Sequence, residues 1–253
     1  MELEKAQELL KIICSNMLDT KTIPAHIAVI MDGNRRWAKA KGLPAIAGHA
    51  YAVENTTEAL IERAGEMGVK YLTMWAFSTE NWGRPEDEVS GLMNLFRKAL
   101  ETKVAKFIAK GARLRMIGDM SRFSTDIQAG MKKAMTASEK NEKITVTFAL
   151  NYGGRDEILR AIARKISNDQ CAQMTNVHKW KAEDFENQLD TAGMPDPDLI
   201  IRTGGDYRLS GFLMWQAAYS ELYFTETLFP DFTPEKFGEA VEEYQKRQRR
   251  FGK

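Results

Sequence analysis

The stretch from Ile27 to Trp37 reads IAVIMDGNRRW, an apolar run that ends on Asp32, Gly33, Asn34, Arg35 and Arg36. A carboxylate can hold a metal ion, while guanidiniums and free backbone N–H groups can hold phosphate. Three further apolar runs end the same way. One leads into Ser78-Thr79-Glu80-Asn81-Trp82-Gly83-Arg84, the second into Asn151-Tyr152-Gly153-Gly154-Arg155, and the third into Arg202-Thr203-Gly204-Gly205-Asp206 with Arg208 and Ser210 close behind. Taken singly, each has a plain structural reading: an N-cap for Asp32, turns for the glycine pairs, an ion pair for Arg202. Together they gather arginines, hydroxyls and one acid, a set that suits a diphosphate with Mg²⁺, the metal bridging carboxylate and phosphate oxygens.

These clusters need elements that bring them to one place. The apolar runs IAVIM, VKYLTMWAF, RLRMIGD, ITVTFAL and DLIIR read as strands, with ELYFT as a weaker sixth. Between them, helical patterns run from about 54 to 67, from Pro85 to Gly111, over roughly 122–139 and through DEILRAIARKI. In the second of these Leu92, Phe96, Ala99, Leu100, Val104, Phe107 and Ile108 share a face. Thr233-Pro234-Glu235 reads as the capped start of a last helix. Strands alternating with helices predict an α/β domain with a mainly parallel sheet covered on both faces. In such a sheet the carboxyl ends of the strands form one edge, where open α/β folds bind ligands. Residues 1–21 are expected to form an amphipathic N-terminal helix, with 22–253 as a single domain and 167–180 as a surface loop.

Composition narrows the function. With 36 basic and 35 acidic residues in 253, no global field draws nucleic acid. Cys14 and Cys171, and likewise His26, His49 and His178, are too scattered for a zinc site. No run approaches the ~20 apolar residues that span a bilayer, and the N-terminus does not read as a signal peptide, so a cytoplasmic location is expected. Neither G-x-x-x-x-G-K-[ST] nor G-x-G-x-x-G after a strand occurs, which argues against a nucleotide hydrolase. Met74, Trp75, Phe77 and the greasy face of helix 86–109 supply apolar volume beside the edge, so a phosphate head with a hydrocarbon tail would fit both halves.

The segments HIAVIMDGNRRWAKAKGL, AFSTENWGRP, NYGGR, IRTGGDYRLSGFLMWQAAYSELYF and RRFG resemble, in order from His26 to Gly252, the cis-prenyltransferase (undecaprenyl diphosphate synthase) family. The resemblance implies a six-stranded, mostly parallel sheet surrounded by helices, used as a homodimer. It also implies Mg²⁺-dependent, sequential condensation of isopentenyl diphosphate onto an allylic diphosphate such as farnesyl diphosphate, giving a long-chain cis-polyprenyl diphosphate such as undecaprenyl diphosphate. A lipid of that kind implies peripheral membrane contact for the product. By the same resemblance, Asp32 handles magnesium, while Gly33, Asn34, Arg35, Arg36 and Trp37 form the loop around the allylic diphosphate, with His49 beside it. Ser78, Thr79, Glu80, Asn81, Trp82 and Arg84 match the loop that positions the substrates, with Asn81 among the catalytic residues. Arg202, Arg208 and Ser210 match the isopentenyl diphosphate site. Glu221 matches an acid that joins magnesium from across the dimer, and Arg250 and Gly252 match a C-terminal motif reaching the partner subunit. Asn81 is no base; the proton acceptor is left between His49 and a departing diphosphate oxygen.

Three features depart from the family pattern. Ala45 stands where relatives usually carry an arginine on the allylic diphosphate, Arg35 stands where glycine is frequent, and Ala52 or a neighbour replaces a glycine after the histidine. Weaker allylic binding is the expectation, with Arg35 as the compensating group. The competing reading, a non-catalytic subunit of the same fold, is disfavoured because Asp32, Asn81 and Arg84 are all present. Met74, Ala76, Val146 and helix 86–109 are the expected tunnel lining, with the direction of Trp75 left open.

Overall fold

The structure, a computed structural model, describes residues 23–168 and 180–247. The expected N-terminal helix, Cys14, Cys171, His178, Arg250 and Gly252 lie outside the described residues.

Six strands form: β1 (His26–Ile30), β2 (Tyr71–Ser78), β3 (Ala112–Ile117), β4 (Ile144–Tyr152), β5 (Leu199–Arg202) and β6 (Glu221–Phe224). They lie in one sheet of order β3-β4-β2-β1-β5-β6, and every pairing is parallel. The chain enters at β1 in the middle, builds outward through β2 to β4 and β3, then returns to add β5 on the other side. The switch in direction therefore falls beside β1, and the crevice past its carboxyl end is the one that carries Asp32.

Alternation along each strand feeds two cores. Ile27, Val29, Leu72, Met74, Leu199 and Ile201 pack beneath α3 (Thr57–Met67) and α9 (Pro234–Lys246), against Leu60, Ala64, Phe237 and Val241. Ala28, Ile30 and Ile200 turn to the other face with Phe212, Leu213 and the ring of Trp75. Trp75 is held there, its ring stacked 4.9 Å from Phe212 and its indole N–H donating to the Tyr152 carbonyl. Near the end of β2 the register slips: Trp75 pairs with Ala149 and Phe77 with Leu150. The extra residue, Ala76, is a bulge that delivers both Ala76 and Phe77 to the helix-covered face.

The helices differ from expectation in two places. The pattern read from 54 begins earlier: α1 (Asn34–Ala40) and α2 (Ala45–Tyr51) come first, and a π-helical turn over Ala52–Thr56 joins α2 to α3. The single helix expected from Pro85 to Gly111 is two, α4 (Glu86–Thr102) and α5 (Val104–Ala109), interrupted at Lys103. Just before the interruption the Thr102 hydroxyl donates to the Lys98 carbonyl, the back-bonding that loosens a helix. Beyond these, α6 (Thr125–Ser138), α7 (Gly154–Asn168) and α8 (Ala182–Glu186) complete the α-helices of the described residues, and Thr233 caps α9 as its sequence predicts.

Candidate active site

Past β1 the backbone turns sharply at Gly33, whose φ of 109° lies in the left-handed region and whose absent Cβ would sit 2.9 Å from Leu228 Cα. That turn leaves Asp32 facing the crevice. Its two carboxylate oxygens accept from Arg36 Nη2 at 3.1 Å and from Arg202 Nη2 at 2.9 Å. Thr203 Oγ1 and Phe229 N donate to its backbone carbonyl at 2.7 and 2.9 Å. Burial opposes ionisation of this carboxyl, but the Arg202 hydrogen bond and the Arg36 charge outweigh it and hold it below its ordinary value.

Arg202 is only 4% exposed and organises a second ring of contacts. Its Nη1 donates to Ser210 Oγ at 2.8 Å and to the Arg208 carbonyl, while its Nη2 also reaches Asp206 at 3.0 Å. Arg208 Nη2 donates to the same Asp206 carboxylate at 2.7 Å. Asp206 thus couples two expected anion-binding arginines. Its place in the cluster after β5 was the signal that could have singled it out. Arg202 Nε is buried without a partner.

The opposite wall comes from α2 and from the turn after β2. Gly48 lets α2 lie directly on the Asn34 backbone; a Cβ there would overlap the Asn34 carbonyl. His49 follows, its ring pushed down to about 4 by burial and by the Arg84 and Arg35 charges, so it is neutral at pH 7. Its Nε2 and the Asn34 Oδ1 are buried without partners. Ser78 and Asn81 cap each other, Asn81 Oδ1 accepting from Ser78 N at 3.1 Å. Arg84 Nη1 donates to Glu88 Oε1 at 2.9 Å, and Arg35 Nε lies 3.6 Å from the same oxygen.

Three cavities run together here. A polar one of about 700 Å³ is lined by Asp32, Gly33, Asn34, Arg35, Arg36, Lys39, Ala45, His49 and Arg84, among others. It sets four cations against one carboxylate, which favours an anion. The adjoining cavity, about 270 Å³, shares Asp32, Asn34, His49 and Arg84 and adds Ser78, Asn81, Arg202 and Ser210. That one shares Met31, Val53, Thr57, Ala76 and Phe96 with an apolar chamber of about 100 Å³ reaching Leu114 between the sheet and α4–α5. Shared walls thus lead from guanidiniums to hydrocarbon, an arrangement that suits an amphiphilic anion.

Not every expected residue enters these cavities. Trp37 is buried, donates to Asp231 Oδ1 at 2.8 Å and leans on Tyr51, anchoring α1. Trp82 donates to Asn151 Oδ1 at 2.8 Å and packs on Phe77 and Phe123, steadying the turn after β2. Thr79 packs on Gly153, Glu80 is exposed, and neither lines a cavity. The Asn151–Arg155 cluster ties loops together: Asn151 also donates to the Asp119 carbonyl, and Gly154 N to the Gly211 carbonyl. Arg208 reaches the cavities only through Asp206 and Arg202. Glu221 pairs with Leu199 at the far, amino-terminal end of the parallel sheet and accepts from Arg247 Nη1 at 2.9 Å, so one chain does not bring it to Asp32. Met74 and Val146 are wholly buried in the core under α3 rather than in the chamber wall.

Among the described residues no group of three or more His, Cys, Asp or Glu side chains could hold a metal. A lone Asp32 carboxylate on an anion cavity fits Mg²⁺ all the same, because that ion takes one or two carboxylates plus phosphate oxygens and keeps several waters.

The comparisons with known proteins agree with this architecture. Residues 30–252 match the family model described as "Putative undecaprenyl diphosphate synthase". The chain is 49% identical over 230 residues to an isoprenyl transferase of Rhizobium meliloti (strain 1021), covering 91% of this chain and 92% of that one. Over 230 residues it is 45% identical to an isoprenyl transferase of Clostridium perfringens (strain 13 / Type A), covering 91% and 90%. Among solved structures, lavandulyl diphosphate synthase from Lavandula x intermedia, in complex with dimethylallyl diphosphate, superposes with a TM-score of 0.86 at 35% identity, covering 92% of this chain and 100% of that one. A probable undecaprenyl diphosphate synthase from Campylobacter jejuni gives 0.74 at 34%, covering 91% and 99%.

Proposed function

The chain belongs to the undecaprenyl diphosphate synthase family of prenyl transferases, and from that premise we propose that it condenses isopentenyl diphosphate stepwise onto an allylic diphosphate, with farnesyl diphosphate as starter and a long cis-polyprenyl diphosphate as product. The single observation that carries this reading is that a cationic cavity at Asp32 adjoins, through shared walls, an apolar chamber under α4. A diphosphate fits the first and a prenyl tail the second. The lavandulyl enzyme, crystallised with an allylic diphosphate, supports such a ligand on this fold.

In this reading Arg35, Arg36, Lys39 and Arg84 hold the allylic diphosphate, and Arg202 and Ser210 hold the isopentenyl diphosphate, with Arg208 behind them through Asp206. Asp32 stands between the two groups, already bonded to a guanidinium of each. Magnesium, held by Asp32 and diphosphate oxygens, would supply positive charge against the negative charge that grows on the leaving group. Asp32 remains ionised well below neutral pH and is ready to do so. Ser78, Asn81 and their mutual cap fix the floor on which the two carbon chains meet, and fixed placement of reacting groups is itself a large part of the rate. His49, neutral and with Nε2 unpartnered, is a proton acceptor within the chain. A diphosphate oxygen is the other acceptor. Catalysis is supported over an inactive role because Asp32, Asn81 and Arg84 are all present and line the cavities.

The edge strand β6, with Tyr207 and Tyr219 exposed nearby, is where a second copy would attach and where Glu221 would act from across the interface. A chelator should stop incorporation of labelled isopentenyl diphosphate, and added Mg²⁺ should restore it. Asp32→Ala should lower turnover by at least a hundredfold with its circular dichroism unchanged. Normal elongation by that variant would remove Asp32 from the mechanism.

A further inference from the structure

The apolar chamber contains one anomaly, a lysine. Lys103 sits at the interruption between α4 and α5, is 6% exposed, and is the one charged residue among those lining the chamber. Met31, Val53, Thr57, Ala76 and Phe96 line both the chamber and the neighbouring cavity, whereas Lys103, Phe107 and Leu114 line the chamber alone. The ammonium donates to Glu58 Oε2 at 2.9 Å and to the Glu54 carbonyl at 3.1 Å, and lies 3.2 Å from Glu54 Oε2. The Glu54 carbonyl belongs to the π-helical turn, a kind of distortion often found at functional sites. The hydrogen bonds to Glu58 and Glu54 outweigh burial and raise the Lys103 pKa, so it stays charged.

Size makes this contact matter. At about 100 Å³ the chamber is smaller than the ~150 Å³ cavity that holds one benzene ring. A growing hydrocarbon must therefore displace a wall. The sheet is locked by its ladders, whereas the junction of α3 with α4–α5 is held by this ion-paired group. Pushing an alkyl chain past it would separate a buried ammonium from its acceptors, which is unfavourable.

We propose that Lys103, latched to Glu54 and Glu58, closes the far end of the chamber and sets the limit on product length. This rests on the prenyl-elongating function proposed above. Lys103→Met keeps the bulk of the side chain and removes the latch, while Glu54 and Glu58 retain Lys98 and Lys110 as partners.

The test is to size the products made from labelled isopentenyl diphosphate and farnesyl diphosphate by the full-length wild type, Lys103→Met, Lys103→Arg and Glu58→Gln. The expected result is a product longer by one or more five-carbon units for Lys103→Met, a smaller shift the same way for Glu58→Gln, and no lengthening for Lys103→Arg, which keeps the cation. Glu58→Gln carries the test if Lys103→Met does not fold. A wild-type length distribution in Lys103→Met and Glu58→Gln would overturn the latch, as would equal lengthening in Lys103→Arg. Absence of any product from the wild type would instead overturn the elongating function, and this inference with it.

Discussion

Asp32 owes its readiness to residues far from it in sequence: Arg202 lies 170 positions away, and Thr203 and Phe229 fix its backbone. The aspartate and its arginines were legible beforehand because each closes an apolar run. Their pairing was not, since strand order decides which runs become neighbours. Glu88 shows the same limit. The acids after Pro85 read as a helix first turn, yet Glu88 lies buried and receives Arg84 and Arg35. Ala45 is the residue whose consequence is easiest to measure. It lines the polar cavity with no charge to offer. Ala45→Arg should add a charge-assisted contact to the allylic diphosphate worth about 1.5 kcal/mol, lowering the KM for farnesyl diphosphate ~tenfold. An unchanged KM in steady-state kinetics would show that Arg35 and Lys39 already saturate that ligand.

At the scale of elements, α1 and α2 pack closely because Gly48 meets the Asn34 backbone without a Cβ. Gly48→Ala must push the two helices apart, moving Asn34 and His49 from the site. Such overpacking costs about 1–3 kcal/mol, so a lowered urea midpoint and a raised KM for the allylic substrate are expected together; a variant unchanged in both would contradict the packing account. The short helices escaped the sequence because seven residues apiece give too little periodicity to read. The interruption at Lys103 escaped it for a different reason: the apolar spacing continues through it, from Leu92 to Ile108, so the pattern alone reads as one helix. The strands were legible, the weak sixth included; β1 and β5, buried throughout, are nearly continuous apolar runs, as parallel strands covered on both faces are. The bulge at Ala76 was not, since nothing in VKYLTMWAF announces a slip in register.

Across the whole molecule, the sheet that gathers the site also carries a pH dependence. His26 at the amino-terminal edge is 1% exposed, its Nδ1 2.7 Å from the Pro195 carbonyl and its Nε2 2.8 Å from Thr73 Oγ1. Burial pushes it down to about 4 from an ordinary 6.5. The unfolded chain therefore takes up a proton between those values that the folded chain refuses, and stability present above pH 6.5 is lost as pH falls toward 4. Urea unfolding at pH 6.5 and at 4.5 should show the loss, and His26→Asn should flatten the slope by about 1.4 kcal/mol per pH unit near its middle. A slope untouched by that substitution would mean that the ring is protonated in the fold. Function at this scale depends on strand ends meeting beside an oily chamber, and the most direct measurement is mass spectrometry of the lipid extract after incubation with farnesyl diphosphate, isopentenyl diphosphate and Mg²⁺. The account predicts a ladder of diphosphates rising by one five-carbon unit per step. Recovery of the starter alone, with the folded protein and metal present, would contradict it.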